Sequence, residues 1–276
     1  MRILSNHILV TNPAWRKHPA DTPFIALRTT IANALGRAKL IPIAVGPEMH
    51  HDVVLWLYEQ CAGVVFTGGA DWNPKLYNQQ PLQETGEPQN LRDEIEQLLF
   101  TKALADKKPL VGICRGMQGL AIALYRQHMI SSQESILIQH IAHVSDHQHT
   151  SPYELMHTNK HEVTIHPETL AHEIFKNTSI FMPSSHHQAV STEVALKLPY
   201  LVISGVSTPD GLAEIMELDR TIHPFCFAVQ GHPEVDSTLY PLLFQRLAQE
   251  TKRFAKDNIQ HSRRQQASRA SVASAA

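Results

Sequence analysis

Gly112-Ile113-Cys114-Arg115-Gly116 sets a thiol between two glycines directly after the apolar run Pro109-Leu110-Val111. The form is Gly-x-nucleophile-x-Gly, in which small flanking residues let a strand reverse sharply into a helix and lift the central side chain above a sheet. A helix over Met117 to Leu124 would put the positive end of its dipole at the sulfur and favour the thiolate, the form that attacks carbonyl carbon. Taken alone, five residues with two glycines fit an inert buried cysteine equally well.

A base for that nucleophile is available further along. Phe225-Cys226-Phe227-Ala228-Val229 reads as a buried strand and runs into Gln230-Gly231-His232-Pro233-Glu234. Pro233 biases His232 toward an extended backbone, where residues two apart project to the same side, so His232 and Glu234 can face one site. A carboxylate beside an imidazole fixes its tautomer and stabilises the imidazolium, completing the roles of nucleophile, base and orienter. A lone His-Pro-Glu is an ordinary surface turn. Two such elements, each at the end of a candidate strand, favour catalysis.

The third element is the apolar strand Gly63-Val64-Val65-Phe66, which ends in Thr67-Gly68-Gly69-Ala70-Asp71. Acyl transfer needs donors aimed at a developing oxyanion, and the amides of Gly69 and of Arg115, the residue after the nucleophile, form a suitable pair. By itself the segment reads as a strand-to-loop turn, with Pro74 helping to end it.

Together the three elements resemble the class I, triad-type glutamine amidotransferase superfamily, and within it the free-standing gamma-glutamyl-gamma-aminobutyrate hydrolase family. The resemblance covers nearly the whole globular part. Thr67-Gly68-Gly69-Ala70-Asp71-Trp72-Asn73-Pro74-Lys75-Leu76-Tyr77 is similar to that family's Thr-Gly-Gly-x-Asp-x-x-Pro-x-x-Tyr signature, and Arg92-Asp93-Glu94 to its charged helix start. Gly112 to Gln118 matches its nucleophile motif, Ser185-His186-His187-Gln188 its Ser-x-His-His-Gln segment, and Val229 to Glu234 its Val-Gln-Trp-His-Pro-Glu.

The resemblance implies Cys114 as nucleophile, His232 as general base and acid, Glu234 as orienting carboxylate, and the backbone of Gly69 and Arg115 as oxyanion hole. Gln118, one helical turn beyond Cys114, would hold the glutamyl moiety. Gly68, Ser185 and His186 would complete the substrate pocket. No cofactor is implied. The expected substrate is a gamma-glutamyl amide, with gamma-glutamyl-gamma-aminobutyrate from putrescine breakdown first. A glutaminase subunit feeding ammonia to a partner synthetase and a non-catalytic binding protein are the alternatives. Since no synthetase domain is encoded, the stand-alone hydrolase is preferred. Two departures stand out. Gly231 replaces the usual tryptophan, which predicts a wider pocket or a more mobile His232 loop, and the stretch from Leu124 to Thr150 departs from the family pattern.

Composition fits a soluble enzyme. A net charge of -2 argues against nucleic acid as a partner, and no apolar run is long enough for a membrane span. Three scattered cysteines and an N-terminus without a signal-peptide apolar region predict a cytoplasmic protein. Association into a homo-oligomer is left open. Eighteen histidines raise the question of metal, with His50 beside His51 and the group His140, His143, His147 and His149. None shows metal-ligand spacing such as His-Glu-x-x-His, so the group reads as a solvated loop and no metal site is expected.

Strand-like runs alternate with helical patterns along the first half, which predicts an α/β fold: a doubly wound, mostly parallel, flavodoxin-like sheet with helices on both faces. Strands are expected at 8–10, 41–45, 162–165, 201–203, 213–217 and 225–229, and helices at 27–39 and 52–60. Asn90 is a candidate N-cap with Asp93 at N3, followed by a core stripe of Ile95, Leu98, Leu99 and Ala103. A closing helix from about Thr238 to Phe254 ends a single domain over 1–256, and 257–276 reads as a disordered tail.

Overall fold

A computed structural model of the chain describes residues 3–15, 22–128, 134–141, 147 and 159–274, with the backbone alone for 15 and 261–274. In chain order the first half contains β1 (Leu4–Thr11), β2 (Ala14–Trp15), β3 (Phe24–Ile25), α1 (Thr29–Arg37), β4 (Ile41–Val45), α2 (His51–Gln60), β5 (Cys61–Phe66), α3 (Asn90–Ala105), β6 (Leu110–Ile113) and α4 (Arg115–His128). The second half contains β7 (Leu137–Ile138), β8 (Lys160–Ile165), α5 (Leu170–Phe175), β9 (Ser179–Pro183), β10 (Ala189–Val190), α6 (Thr192–Ala195), β11 (Leu201–Ser207), β12 (Ala213–Leu218), β13 (Cys226–Val229) and α7 (Leu239–Ser274).

Side chains alternate across a strand, so near-continuous apolar strands must be covered on both faces. In β1, Leu9 packs on the face covered by α2, α3, α4 and α6, while Ile8 and Val10 pack on the opposite face under α1, α5 and α7. The sheet between them has the order β4-β1-β5-β6-β13-β12-β11-β8-β9, with β7 and β10 attached through β12. Pairing is parallel from β4 through β13 and antiparallel from β13 through β9. The α/β fold with a central sheet covered on both faces is the one expected. Its antiparallel extension is the part that the alternation of strands and helices in the first half does not announce.

Three local expectations change. Gln89, not Asn90, is the N-cap of α3 and makes no side-chain cap bond. Asp93 is instead buried and accepts a hydrogen bond from the Asn73 amide at 3.0 Å. Leu98 is 38% exposed, and Phe100 joins Ile95, Leu99 and Ala103 in the core in its place. Finally, α7 runs to Ser274, through most of the 257–276 stretch that the sequence reads as a disordered tail. Residues 257–274 contain no glycine or proline to stop a helix and are rich in alanine, glutamine and arginine, all good helix formers. Much of the atypical 125–150 region, including His143 and His149, lies outside the described residues.

Candidate active site

The parallel half brings three chain segments to one edge. Val229 is in register with Ile113, and Phe66 with Gly112, so the residues that follow emerge side by side at the carboxyl ends of β13, β6 and β5. That edge is where open α/β sheets form their ligand crevices. A cavity of about 560 Å³ sits there, and its walls include Cys114, His232, Glu234, Gly68, Gly69 and Ser185. A larger concavity of about 970 Å³ lies between α3, α4 and Tyr200 and holds none of these groups.

Cys114 is a sharp elbow. Its φ is +54°, a left-handed conformation that costs a residue with a side chain about 1–3 kcal/mol and is kept only where surrounding structure imposes it. The Cys114 amide donates to Val229 O at 2.7 Å, while its carbonyl accepts from the Met117 and Gln118 amides at the start of α4. The flanking glycines are required by close approach. A Cβ on Gly112 would lie 2.7 Å from the Gly116 carbonyl oxygen, and one on Gly116 would lie 2.3 Å from that of Phe66.

His232 and Glu234 do face each other, with Nδ1 to Oε1 at 2.8 Å, but not through the extended backbone expected: Pro233–Val235 form a 3-10 turn with His232 as its N-cap, and that turn brings the carboxylate back to the ring. The imidazole also hydrogen-bonds the Cys114 side chain, so the three groups form one chain of contacts. Burial disfavours the imidazolium, but the Glu234 carboxylate and the Cys114 sulfur outweigh it and raise His232 to about 10. Gly68 is the floor beside them: a Cβ there would stand 3.1 Å from His232 Cε1 and 3.6 Å from Cys114 Cβ.

Behind the site is a buried ionic lattice that explains the charged start of α3. Arg92 Nη2 donates at 3.1 Å to the Thr67 carbonyl, the Thr67 hydroxyl and the Gly68 carbonyl, while its Nε pairs with Glu96 at 2.7 Å. The Arg115 side chain turns away from the cavity, pairs with Asp93 and Glu96, and lies 3.8 Å over the Trp72 ring. Trp72 Nε1 in turn donates to the Arg115 carbonyl at 2.8 Å. Burial would raise Glu96, but the guanidiniums of Arg115 and Arg92 outweigh it and hold the carboxyl below its usual range. The backbone at Thr67 and Gly68 is therefore fastened from behind by the Arg92 guanidinium, and that of Arg115 by the neutral Trp72 indole. Breaking one of these buried ion pairs typically costs about 3–5 kcal/mol.

Two expected substrate contacts do not line the cavity. Gln118 is buried and its amide reaches Gln188 O and Gln230 Oε1, both at 3.4 Å. Gln230, which the sequence reading did not single out, stands with Nε2 3.7 Å from Cys114 Sγ. Its position directly after β13, in register with the elbow, was the available signal. His186 is also buried, its Nδ1 bonded to Gln188 O, and its ring faces Glu214 rather than the cavity. Nor does Gly231 widen the pocket. A Cβ there would lie 2.2 Å from Met182 Cγ and 2.6 Å from the Pro183 carbonyl oxygen, so β9 fills the space a large ring would need. His232 is held rather than loosened, its amide donating to Pro183 O at 2.7 Å.

Among the described residues no helix is long and apolar enough to cross a membrane. Protein NtpR of Enterococcus hirae is 31% identical over 208 residues, which cover 74% of this chain and 79% of that protein. Gamma-glutamyl-gamma-aminobutyrate hydrolase PuuD of Escherichia coli (strain K12) is 28% identical over 222 residues, 78% of this chain and 81% of that one. Among solved structures, the glutaminase domain of Trypanosoma brucei CTPS with bound acivicin superposes with a TM-score of 0.59 at 17% identity, covering 90% of this chain and 94% of that one, a likeness of fold. Residues 11–234 match the Peptidase C26 family, and the chain belongs to that glutamine amidotransferase-like family of cysteine-type hydrolases.

Proposed function

We propose that the chain hydrolyses a gamma-glutamyl amide through a thioester on Cys114, with gamma-glutamyl-gamma-aminobutyrate, an intermediate of putrescine breakdown, as the leading substrate. The observation that carries this reading is the left-handed Cys114 elbow joined to the His232–Glu234 pair at one wall of a cavity. The Cys114 sulfur attacks the gamma carbonyl, and the backbone amides of Gly69 and Arg115 stabilise the oxyanion. His232 gives its proton to the departing nitrogen as the C–N bond breaks and the thioester forms. Water then loses a proton to His232 and adds to the thioester carbonyl. Breaking the C–S bond releases glutamate and restores the thiolate–imidazolium pair. Glu234 holds the ring with Nε2 toward the sulfur throughout. Relatives named for gamma-glutamyl-gamma-aminobutyrate support the substrate. Arg28 also lies in the wall of the same cavity.

Binding energy from the amine portion can be used to orient the reacting carbonyl, whereas glutamine has only ammonia to lose. The isolated protein should therefore turn over gamma-glutamyl-gamma-aminobutyrate with kcat/KM at least about tenfold above that for glutamine, roughly 1.4 kcal/mol of transition-state binding. Steady-state kinetics with both substrates checks it. Equal or better use of glutamine, or activity only on adding a second protein, would replace this reading with an ammonia-delivering subunit.

A further inference from the structure

The histidines read from sequence as a solvated loop do not all behave as one. His140, His50 and His51 are exposed, but His147 is fully buried. There it meets His161 of β8, His186 of the loop after β9, and Glu214 of β12, with relative exposures of 0%, 6%, 4% and 0% in that order. These four residues come from four separate segments and converge at the antiparallel end of the sheet.

The outward bonds of the cluster fix which atoms point inward. His186 Nδ1 lies 2.9 Å from the Gln188 carbonyl oxygen, which can only accept, so Nδ1 carries the proton and Nε2 presents a lone pair. His147 Nε2 lies 2.8 Å from the Asp210 carboxylate, which likewise takes the ring proton there and leaves Nδ1 as a lone pair. Both lone pairs face Glu214. Its Oε1 stands 3.3 Å from His161 Nε2, 3.5 Å from His186 Nε2 and 3.7 Å from His147 Nδ1. All of these inward atoms, and the second Glu214 oxygen, are buried without a hydrogen-bond partner. At His147 and His186 acceptor is thus turned toward the Glu214 acceptor in a site shielded from water, an arrangement that burial penalises unless a cation lies among them.

We infer that His147, His161, His186 and Glu214 form a structural zinc site. Zinc binds imidazole nitrogen at about 2.0–2.1 Å and carboxylate oxygen at about 2.0–2.2 Å in a tetrahedron, whose edges are then about 3.3–3.6 Å. Two of the distances from Glu214 Oε1, 3.3 Å to His161 and 3.5 Å to His186, fall on those edges, and the third, 3.7 Å to His147, is slightly longer. The ligating atoms of His147, His161 and Glu214 all lie within 4.8 Å of one another. His186 stands outside this close trio and reaches it through Glu214 Oε1, and with its Nε2 drawn in as the fourth ligand the coordination shell would be closed, the structural rather than the catalytic pattern. The Asp210 carboxylate and the Gln188 carbonyl supply the outer hydrogen bonds that orient metal-ligating histidines. Two carboxylates, Glu214 and Asp210, balance the divalent charge. The site also has a reason to be where it is. His186 follows Ser185 of the catalytic cavity wall, and the Glu214 carbonyl accepts from the Gln230 amide at 2.8 Å, next to Cys114. The ion would pin the pocket's far wall to the strand beside the nucleophile.

The test uses the full chain, purified without chelators or a histidine tag. Elemental analysis should find about one zinc per chain. Stripping with a chelator should lower the melting temperature by at least about 5 °C, and Zn²⁺ alone should restore it. Co²⁺ added to the stripped protein should give the intense visible bands of a tetrahedral nitrogen–oxygen site. His161→Ala and Glu214→Gln should abolish stoichiometric binding, while Cys114→Ala should retain it. Should those variants fail to fold, Asp210→Asn, which leaves every ligand in place, should weaken Zn²⁺ binding by about 10–100-fold. The inference is overturned if the wild-type chain neither retains nor takes up stoichiometric Zn²⁺, or if its melting temperature ignores both chelator and metal. It is equally overturned if a bound ion is lost in Cys114→Ala but survives His161→Ala and Glu214→Gln, since the ion then sits at the nucleophile.

Discussion

Two buried histidine–carboxylate groups lie close together in this molecule, and their surroundings give them opposite characters. In the parallel half, one carboxylate faces one imidazole at 2.8 Å, the far ring nitrogen serves a thiol, and the group opens on a cavity. In the antiparallel half, one carboxylate faces three imidazoles, their outer nitrogens are tied off where bonded at all, and all four residues are sealed from solvent. The first arrangement can pass a proton between a nucleophile and a leaving group. The second has nothing to pass it to and suits holding an ion. The difference lies in what stands on the far side of the imidazole, not in the residue types.

The sharpest way to break this contrast is to remove the thiol. Cys114→Ala should keep the fold and lose roughly 10⁴–10⁶-fold in kcat, because a nucleophile and its partners act as a unit. Loss of turnover no larger than that from a pocket-wall substitution would put Cys114 outside the chemistry. Glu234→Gln keeps a hydrogen bond but removes the charge and should lower kcat by roughly 10 to 10⁴-fold. The same change sharpens the comparison through pH. The raised His232 proton is present at low pH and lost as pH rises through about 10, so the alkaline fall of kcat/KM that reports the general acid should lie near there. In Glu234→Gln the imidazolium should be lost at least about one pH unit lower, read by histidine NMR. An unmoved titration would mean that Glu234 does not hold the ring charged.

Cysteine reactivity comes next in size. Burial pushes Cys61 up to about 12 and raises Cys226 further, and both are essentially inaccessible, so Cys114 should alkylate first with iodoacetamide at neutral pH. Peptide mapping after brief exposure decides it, and earlier labelling of Cys61 or Cys226 would contradict the elbow's role. Gly231→Ala should have the smallest effect. Its Cβ would press on the Pro183 carbonyl, which also accepts the His232 amide, so stability should fall by about 1–3 kcal/mol in a denaturant titration. An unchanged midpoint would show that β9 gives way freely.

What the sequence disclosed follows from how local each signal is. The elbow is written in five consecutive residues, and the His232–Glu234 pair in three, so both were legible before any fold was known. The strands that carry them were legible as apolar runs. Arg92 and Asp93 were visible only as a charged helix start. Their inward turn against Thr67, Gly68, Arg115 and Glu96 depends on α3 packing over the elbow. The Gly231 departure was visible but misread, because Met182 and Pro183, some fifty residues earlier, occupy the space. The histidine cluster was least legible of all. Its members sit at 147, 161, 186 and 214, a spacing that matches no single helix or turn: antiparallel pairing through β12, β11 and β8 brings Glu214 and His161 into one neighbourhood, and His147 and His186 join from outside those strands.

The central claim is a gamma-glutamyl thioester on Cys114, and its partitioning between two acceptors tests it most directly. Hydroxylamine, competing with water during turnover, should yield gamma-glutamyl hydroxamate alongside glutamate. If one common acyl-enzyme forms, the hydroxamate-to-glutamate ratio will be the same for gamma-glutamyl-gamma-aminobutyrate and for other gamma-glutamyl amides, and Cys114→Ala will form neither product. A ratio that changes with the leaving amine, or product formation that survives loss of the thiol, would contradict the account.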